Sequence, residues 1–236
     1  KGGQGSGFLN IAKSIHGFQA SGFTNFAIDL KGIQATGFLN VAKEVNGVQV
    51  AGFLNVAKNV DGFQISVFNI ADSVKGASIG LFNFVRKGYH PIEIGLTDFG
   101  TSSIRLKTGT RSFYNIFEIG MSYPDFSKYW HYNYGIGHSF KLKEKKSYID
   151  LEASTGVISG PPNYNNYFNL ISRLSLEFSY KIAGPVYLFF GPSLNNFSYD
   201  ENLDVPFNYP FQTINSSKNK STNIDTWLGY QFGLRI

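Results

Sequence analysis

Apolar and polar positions in residues 1–85 recur with a period of about 15 residues. The period is marked by glycines at steps of 15, 15, 15, 15 and 14 residues: Gly2, Gly17, Gly32, Gly47, Gly62 and Gly76. Each unit continues with an apolar residue, Gln, a small or apolar pair, and then Gly-Phe-Leu-Asn followed by aliphatic positions. Such self-similarity is typical of stacked units that cannot bury a hydrophobic face alone. It predicts a repeat architecture for this segment.

Four columns of like residues run through the repeats. They are a glutamine column (Gln4, Gln19, Gln34, Gln49, Gln64), an asparagine column (Asn10, Asn25, Asn40, Asn55, Asn69, Asn83), a phenylalanine column (Phe8, Phe23, Phe38, Phe53, Phe68, Phe82) and an aliphatic column (Ile15, Leu30, Val45, Val60, Val74). The amide columns are expected to pair with backbone groups rather than to bind a ligand, because buried backbone groups need partners.

Two β architectures fit this period, and a helical one does not, because glycine stands twice in most units. In a β-solenoid each unit is one coil, and like residues stack ~4.8 Å apart. In an antiparallel meander each unit is one strand and a turn, continuous with the rest of the chain. The aliphatic column favours the solenoid, since such residues would be exposed at a turn tip. The meander remains the alternative.

Residues 91–236 alternate with a period of two over long segments, which predicts antiparallel strands. We predict strands at 91–97, 102–108, 112–123, 130–141, 147–158, 168–182, 185–195 and near the C-terminus. Several exceed the five or six residues usual in soluble sheets, and a strand that spans a membrane needs ~9–11. About eight such strands are enough for an up-and-down sheet or a closed small barrel. A long loop is expected at 200–223, where prolines and polar residues interrupt the alternation.

Charged residues stand on the glycine-rich, polar faces of these strands: Glu118, Asp150, Glu152, Arg173, Glu177, Lys181 and Arg235. The favoured interpretation is a salt-bridged interior, because small barrels are filled by side chains. The alternative is a catalytic or substrate-binding lumen. His131 and His138 fall on opposite faces of one strand, so they cannot share a metal ion. We predict no catalytic, cofactor-binding or metal-binding residues, no cofactor and no enzymatic activity.

The composition of the chain indicates contact with a membrane or with a large partner. Charged residues are 16% and aromatic residues 17% of the 236-residue chain, against about 25% charged in ordinary soluble domains. A charge-poor, aromatic-rich β protein suits contact with lipid or with a large partner. Part of the net charge of +5 comes from lysines at 141–146, interpreted as a solvated turn, and no nucleic-acid partner is expected. Cysteine is absent. Lys1 lacks a signal-peptide pattern, so we expect a processed or trimmed chain.

The repeat Gly-Phe-Leu-Asn-Val-Ala-Lys-Glu-Val-Asn-Gly-Val-Gln, at 37–49, resembles those of surface-repeat proteins of Bacteroidota and spirochaetes. The tail Trp227-Leu-Gly-Tyr-Gln-Phe-Gly-Leu-Arg-Ile236 is similar to the closing strand of outer-membrane proteins, although it ends in Ile rather than Phe or Trp. In class and size the chain also looks like a plug subunit of the type-nine secretion translocon. The resemblance implies no functional residues.

Together these features predict a non-enzymatic protein of the bacterial outer membrane, on its periplasmic side or within a pore complex. The leading hypothesis is a plug or accessory subunit that contacts a larger outer-membrane barrel or translocon, with lipid as a further contact. The alternative is a self-contained small barrel with a porin-like or anchoring role. An outer-membrane enzyme is the third hypothesis.

Overall fold

The computed structural model describes residues 2–125, 128–142, 146–160, 167–203, 205, 213–218 and 221–236. Within these ranges the secondary structure is β throughout: β1 (Gly2–Ser6), β2 (Leu9–Ser21), β3 (Thr24–Thr36), β4 (Leu39–Ala51), β5 (Leu54–Ile65), β6 (Phe68–Ile79), β7 (Phe82–Val85), β8 (Ile92–Thr97), β9 (Thr101–Thr110), β10 (Phe113–Ser122), β11 (Trp130–Lys141), β12 (Ser147–Ser159), β13 (Asn169–Ala183), β14 (Val186–Asp200), β15 (Asn215–Lys218) and β16 (Thr222–Arg235). The contacts divide the chain into a repeat unit, residues 1–90 with 108–115, and a barrel unit, residues 91–107 with 116–236.

The repeat unit is a parallel stack of about six coils, each coil one repeat of the sequence. Equivalent residues pair in register, as Asn25 with Asn40 and Gln34 with Gln49. The chain folds back on itself within a coil, so that residues 25 and 35 face each other across the interior. The Nδ2 of Asn25 donates a hydrogen bond to the carbonyl of Ala35 there at 2.7 Å. The solenoid prediction is therefore confirmed, and the antiparallel meander is wrong for these residues.

Four inward columns form the core of each coil. Asparagine and glutamine occupy two, and the predicted aliphatic column is the third, in which Leu30, Val45 and Val60 are buried. A column of small residues, among them Ala42 and Ala57, packs against the aliphatic side chains. The burial of the aliphatic column gives the physical reason why a turn-like segment carries large apolar residues.

The phenylalanine column is only partly as predicted. Rings of Phe8, Phe23, Phe38 and Phe53 stack with centroids 4.9–5.0 Å apart. Phe68, however, pairs in register with Leu54 and not with Phe53. The repeat loses one residue at this corner, so the aromatic ring moves into the neighbouring column and meets Phe53 at 5.2 Å with a 59° tilt.

One glycine column is required by backbone geometry. Gly47 has a φ of 138°, a region that L side chains rarely adopt. A Cβ there would lie 2.0 Å from the carbonyl oxygen of Gly32 in the preceding coil. The same position is glycine in every repeat because each coil bends at this point while its backbone touches the next.

The barrel unit contains a closed antiparallel eight-stranded barrel, as predicted. Its strands follow the order β14-β13-β12-β11-β10-β9-β8-β16, and β16 closes the barrel by pairing with β14. Along each strand, buried positions alternate with exposed ones. The strand bounds agree closely with the predicted segments.

The structure differs from the prediction at the long loop. Within 200–223, residues 215–218 form the short strand β15, which pairs with β16 from Asn215–Thr226 to Lys218–Asn223. Half of the remaining predicted loop, 204, 206–212 and 219–220, lies outside the described residues. So do residues 161–166, between β12 and β13, and the lysines at 143 and 145.

Candidate functional site

The barrel interior contains the largest group of buried charges in the described part of the chain. Glu93 and Arg105 come from the neighbouring strands β8 and β9, and Glu177 from β13 on another part of the wall. These side chains point inward because each strand places its aliphatic residues at the intervening, outward positions. Lys107, Asp150, Glu152 and Arg235 complete the group, which we call the charge cluster, and none of its seven members is more than 5% exposed.

Arg105 and Arg235 connect the carboxylates of the charge cluster. The guanidinium of Arg105 lies 2.6 Å from Glu177, 2.9 Å from Glu93 and 3.3 Å from Glu152. The guanidinium of Arg235 lies 2.6 Å from Asp150 and 3.1 Å from Glu177, and it also pairs with Glu93. A buried charge is tolerated only when it is paired, and these contacts pair each carboxylate with a cation.

Lys107 lies among three carboxylates of the same cluster. Its ammonium is 2.7 Å from Glu93 and 3.4 Å from Glu177, and it donates to Glu152. The ring of Phe189 covers one side of the cluster, with the guanidinium carbon of Arg105 4.7 Å from its centroid. A cation over an aromatic face is further stabilised when water is excluded. The cluster therefore fills the interior at this level of the barrel.

A second group of buried polar residues surrounds Glu118. Asn133 donates to its carboxylate at 3.0 Å, and Arg173 and His131 each lie 3.5 Å from it. Arg173 also donates to Gln231 at 3.1 Å, and Gln231 donates to Glu177 at 2.7 Å. These hydrogen bonds join the second group to the charge cluster, so one network extends along the barrel.

An aromatic cluster lies at the end of the barrel where β8 leads into β9. Its buried members are Phe99, Tyr129, Ile158, Ile171, Phe197, Tyr199, Leu203 and Trp227. The indole of Trp227 donates to the carboxylate of Asp98 at 2.6 Å, and Asn195 donates to the same oxygen at 3.3 Å. Large rings with paired polar atoms occlude this end of the interior.

The geometry bears directly on metal binding. Carboxylate oxygens of Asp150, Glu152 and Glu177 come within 4.8 Å of one another. Arg105 and Lys107, however, approach Glu152 and Glu177 at salt-bridge distance, and Arg235 approaches Asp150. Protein cations thus occupy the position that a metal ion would need, and the carboxylates act as their counter-ions. What the arrangement does chemically is pair opposite charges inside a closed wall.

Six of the seven predicted interior residues, Glu118, Asp150, Glu152, Arg173, Glu177 and Arg235, lie in this network and are buried. Lys181, named with them, is half-buried at the end of β13. Sequence reasoning missed Glu93, Arg105 and Lys107. The alternation Ile104-Arg105-Leu106-Lys107 places both cations on the inward face, so the same period-two argument could have found them.

The amide columns form continuous hydrogen-bonded stacks in the repeat unit. Each asparagine donates to the next, from Asn10 through Asn25, Asn40, Asn55 and Asn69 to Asn83, at 2.8–3.0 Å. The glutamines pair in the opposite direction, with Gln34, Gln49 and Gln64 each donating to the glutamine one coil earlier at 2.8–2.9 Å. Asn115 ends the asparagine stack by accepting from Asn83 at 2.7 Å.

The outer surface of the barrel is apolar on all eight strands. Exposed side chains near strand centres include Ile94, Ile104, Ile119, Ile136, Leu151, Leu176, Phe190 and Phe232. Aromatic residues such as Trp130, Tyr132 and Phe168 are exposed near one end of the barrel, and Phe140 and Tyr180 towards the other. Exposed apolar patches of ordinary monomers rarely exceed a few hundred Å². This outer surface is therefore unusual for an ordinary monomer in water.

Comparison with known proteins identifies no relative: no protein-family model, no curated protein and no solved structure matches the chain. Among the described residues, the structure has no helix long and apolar enough to cross a membrane. The proposals below therefore depend on the geometry alone.

Proposed function

We propose that the chain is an outer-membrane protein in which the barrel serves as a membrane anchor for the repeat unit. The observation that carries this proposal is the inverted polarity of the barrel. On β13, Leu174, Leu176 and Ile182 face outward and are exposed, whereas Arg173, Glu177 and their partners are buried inside. Eight-stranded barrels of outer membranes combine an apolar outer band with a filled, polar interior.

The dimensions support the same proposal. Barrel strands β11, β12, β13 and β14 contain 12–15 residues, and ~9–11 residues tilted by about 45° are enough to cross the hydrocarbon core. Since a bilayer offers no hydrogen-bond partners, the closed pairing of β16 with β14 satisfies a requirement that an open sheet could not. The filled interior favours an anchoring role over a porin-like one.

The anchor is tested by charge substitutions at two depths on one strand. In lipid vesicles, we expect Leu176→Arg, near the centre of β13, to destabilise the folded barrel by about 2–4 kcal/mol. We expect Ile182→Arg, near the strand end, to cost only about 0–1 kcal/mol because it reaches the interface. The measurement is urea unfolding in vesicles, followed by the heat-dependent shift of the folded band on gels.

A soluble barrel would behave differently. Both side chains are about half exposed, 48% for Leu176 and 57% for Ile182, so in water both substitutions would be nearly neutral and would not depend on depth. Equal and small effects, or cooperative folding in buffer without lipid or detergent, would overturn the proposal. A steady ion conductance of the wild-type protein in planar bilayers would replace the anchor with a porin-like function.

A separate observation supports an accessory role towards a larger outer-membrane pore. One outward face of the repeat unit is uncharged and apolar, and its exposed residues are Phe18, Ile33, Val50, Phe63, Ile65 and Ile79. Such a face suits the apolar centre of a protein interface. A gentle-detergent purification from native membranes should yield a stoichiometric large pore protein, lost with Phe63→Glu but kept with Asn46→Glu. Elution as a ~26 kDa species alone would overturn this role.

A further inference from the structure

A second outward face of the repeat unit joins an apolar column to a row of cations. The column runs in register through β2 to β7 and consists of Ile11, Phe26, Val41, Val56, Ile70 and Phe84. Four of its members are exposed, from 39% for Phe26 to 68% for Ile11. The apolar surface therefore continues along the whole stack.

Charged side chains border this column two residues further along each coil except that of β3, where Ile28 takes the position. Lys13, Lys43 and Lys58 are exposed there, and in the last two coils Asp72 and Arg86 form an ion pair at 3.0 Å. Because that pair is internally neutral, the three lysines leave the face with an excess of positive charge. We call the column together with this row the lysine face.

The chemistry of the lysine face limits what can cover it. A shallow depression of about 530 Å³ on it is lined by alanine, valine, isoleucine and phenylalanine together with Lys43, Lys58, Asp72 and Arg86, and by no amide or hydroxyl side chain. Protein interfaces average about one hydrogen bond per 100–200 Å² and need varied partners. Apolar side chains with lysines beside them are instead typical of segments that lie at the interface of an anionic bilayer.

The other faces of the repeat unit lack this combination. A groove along the segment that contains the aliphatic column is lined by charges of both signs, including Asp29, Lys31, Glu44 and Asp61. The face that carries Phe63 is uncharged among its described residues. Within the described repeat unit, the lysine face is therefore the one that combines apolar side chains with an excess of positive charge and so complements anionic headgroups.

We propose that the lysine face docks on the anionic headgroup surface of a lipid bilayer, with its ammonium groups at the phosphates and its apolar column inserted below them. Each lysine near such a surface contributes about fivefold to binding. Lys43 and Lys58 stand in adjacent coils, so their contributions act together. This inference goes beyond the barrel anchor and does not need the barrel to be inserted.

The absence of native cysteine allows a direct test with single-cysteine variants of the full chain. A polarity-sensitive fluorophore is attached at Ile70→Cys on the lysine face, at Asn46→Cys on the mixed-charge groove as the matched control, or at Leu176→Cys on the barrel. The protein is reconstituted with phosphatidylcholine vesicles, with or without phosphatidylglycerol, and nitroxide lipids serve as quenchers. We expect quenching at residue 70 only with phosphatidylglycerol, and little quenching at residue 46.

Lys43→Gln and Lys58→Gln should each lower the ratio of docked to free lysine face about fivefold, and together roughly thirtyfold. No quenching at residue 70 in anionic vesicles overturns the inference, and quenching of the Leu176→Cys variant in the same vesicles shows that the anchor still holds. Quenching at 70 without quenching at 176 supports docking and overturns the anchor. A blue-shifted but unquenched label at 70 in native membranes would show that a protein covers the face instead.

Discussion

Removal of one cation from the barrel interior tests whether the charge cluster holds the barrel together. Replacement of Arg105 by Met retains an unbranched side chain but leaves Glu93, Glu152 and Glu177 without the guanidinium that lies 2.6–3.3 Å from them. Breaking a buried ion pair by removal of one partner costs about 3–5 kcal/mol. That is a large share of the roughly 5–15 kcal/mol by which a domain is stable.

The numbers of carboxylates and cations in the charge cluster predict which substitutions cost more stability. The cluster holds four carboxylates, Glu93, Asp150, Glu152 and Glu177, against the three cations Arg105, Lys107 and Arg235, so loss of a cation raises an existing excess of negative charge. Loss of a carboxylate, as in Glu152→Gln, reduces that excess and should cost less. In the double variant the two changes should be non-additive, with a coupling of about 0.5–3 kcal/mol.

Stability is measured by urea unfolding in detergent micelles or vesicles, with the gel shift of the folded band as a second probe. Lys181→Met at the end of β13 is the control, since that lysine lies outside the charge cluster. If Arg105→Met were as stable as the wild type, or if its effect simply added to that of Glu152→Gln, the cluster would not be a coupled network. A conductance that appears in the variant would show that Arg105 had closed a channel.

Two further predictions concern the repeat unit. Asn40→Ala removes donors to Val50 and Asn55 and should cost about 1–3 kcal/mol for each buried group left unpaired, whereas Asn46→Ala, on an exposed side chain, should be nearly neutral in the same unfolding experiment. Gly47→Ala should cost at least about 1–3 kcal/mol through its positive φ alone, and its clash with the preceding coil adds to this. Gly5→Ala, where an added Cβ meets nothing within 4 Å, should have a smaller effect; equal losses would remove the steric explanation.

Local periodicity predicted most of the fold. The 15-residue period and the aliphatic column that contains Leu30 and Val45 led to the solenoid, because burial at that position has no explanation in a meander. Alternation by two located strands such as β11, predicted at 130–141 and found at Trp130–Lys141. These predictions succeeded because each depends on neighbours within one unit or one strand.

The features that escaped prediction depend on distant parts of the chain. Arg105 meets Glu177 across 72 residues, and only closure of the barrel through β16 makes β9 and β13, four strands apart in the sheet, face each other across the interior. The shift of Phe68 into the neighbouring column follows from one missing residue at a corner, which changes the register of that ring while Asn69 remains in its stack. Pairing of β15 with β16 was likewise hidden, since its residues are polar and without alternation.

The low charge content has a different meaning once the positions of the charges are known. A soluble barrel normally places its apolar residues inside and its charges in water, but here Arg105, Lys107 and Glu177 are buried while Leu176 and Phe190 are exposed. Each buried ion loses several kcal/mol of hydration, and its pairing at best offsets that loss. Interior ion pairs are thus a poor source of stability in water. Apolar side chains outside and charged side chains inside become favourable when the outer surface lies in lipid. The apolar side chains then contact the hydrocarbon, and the charged ones avoid it only by lying in the interior.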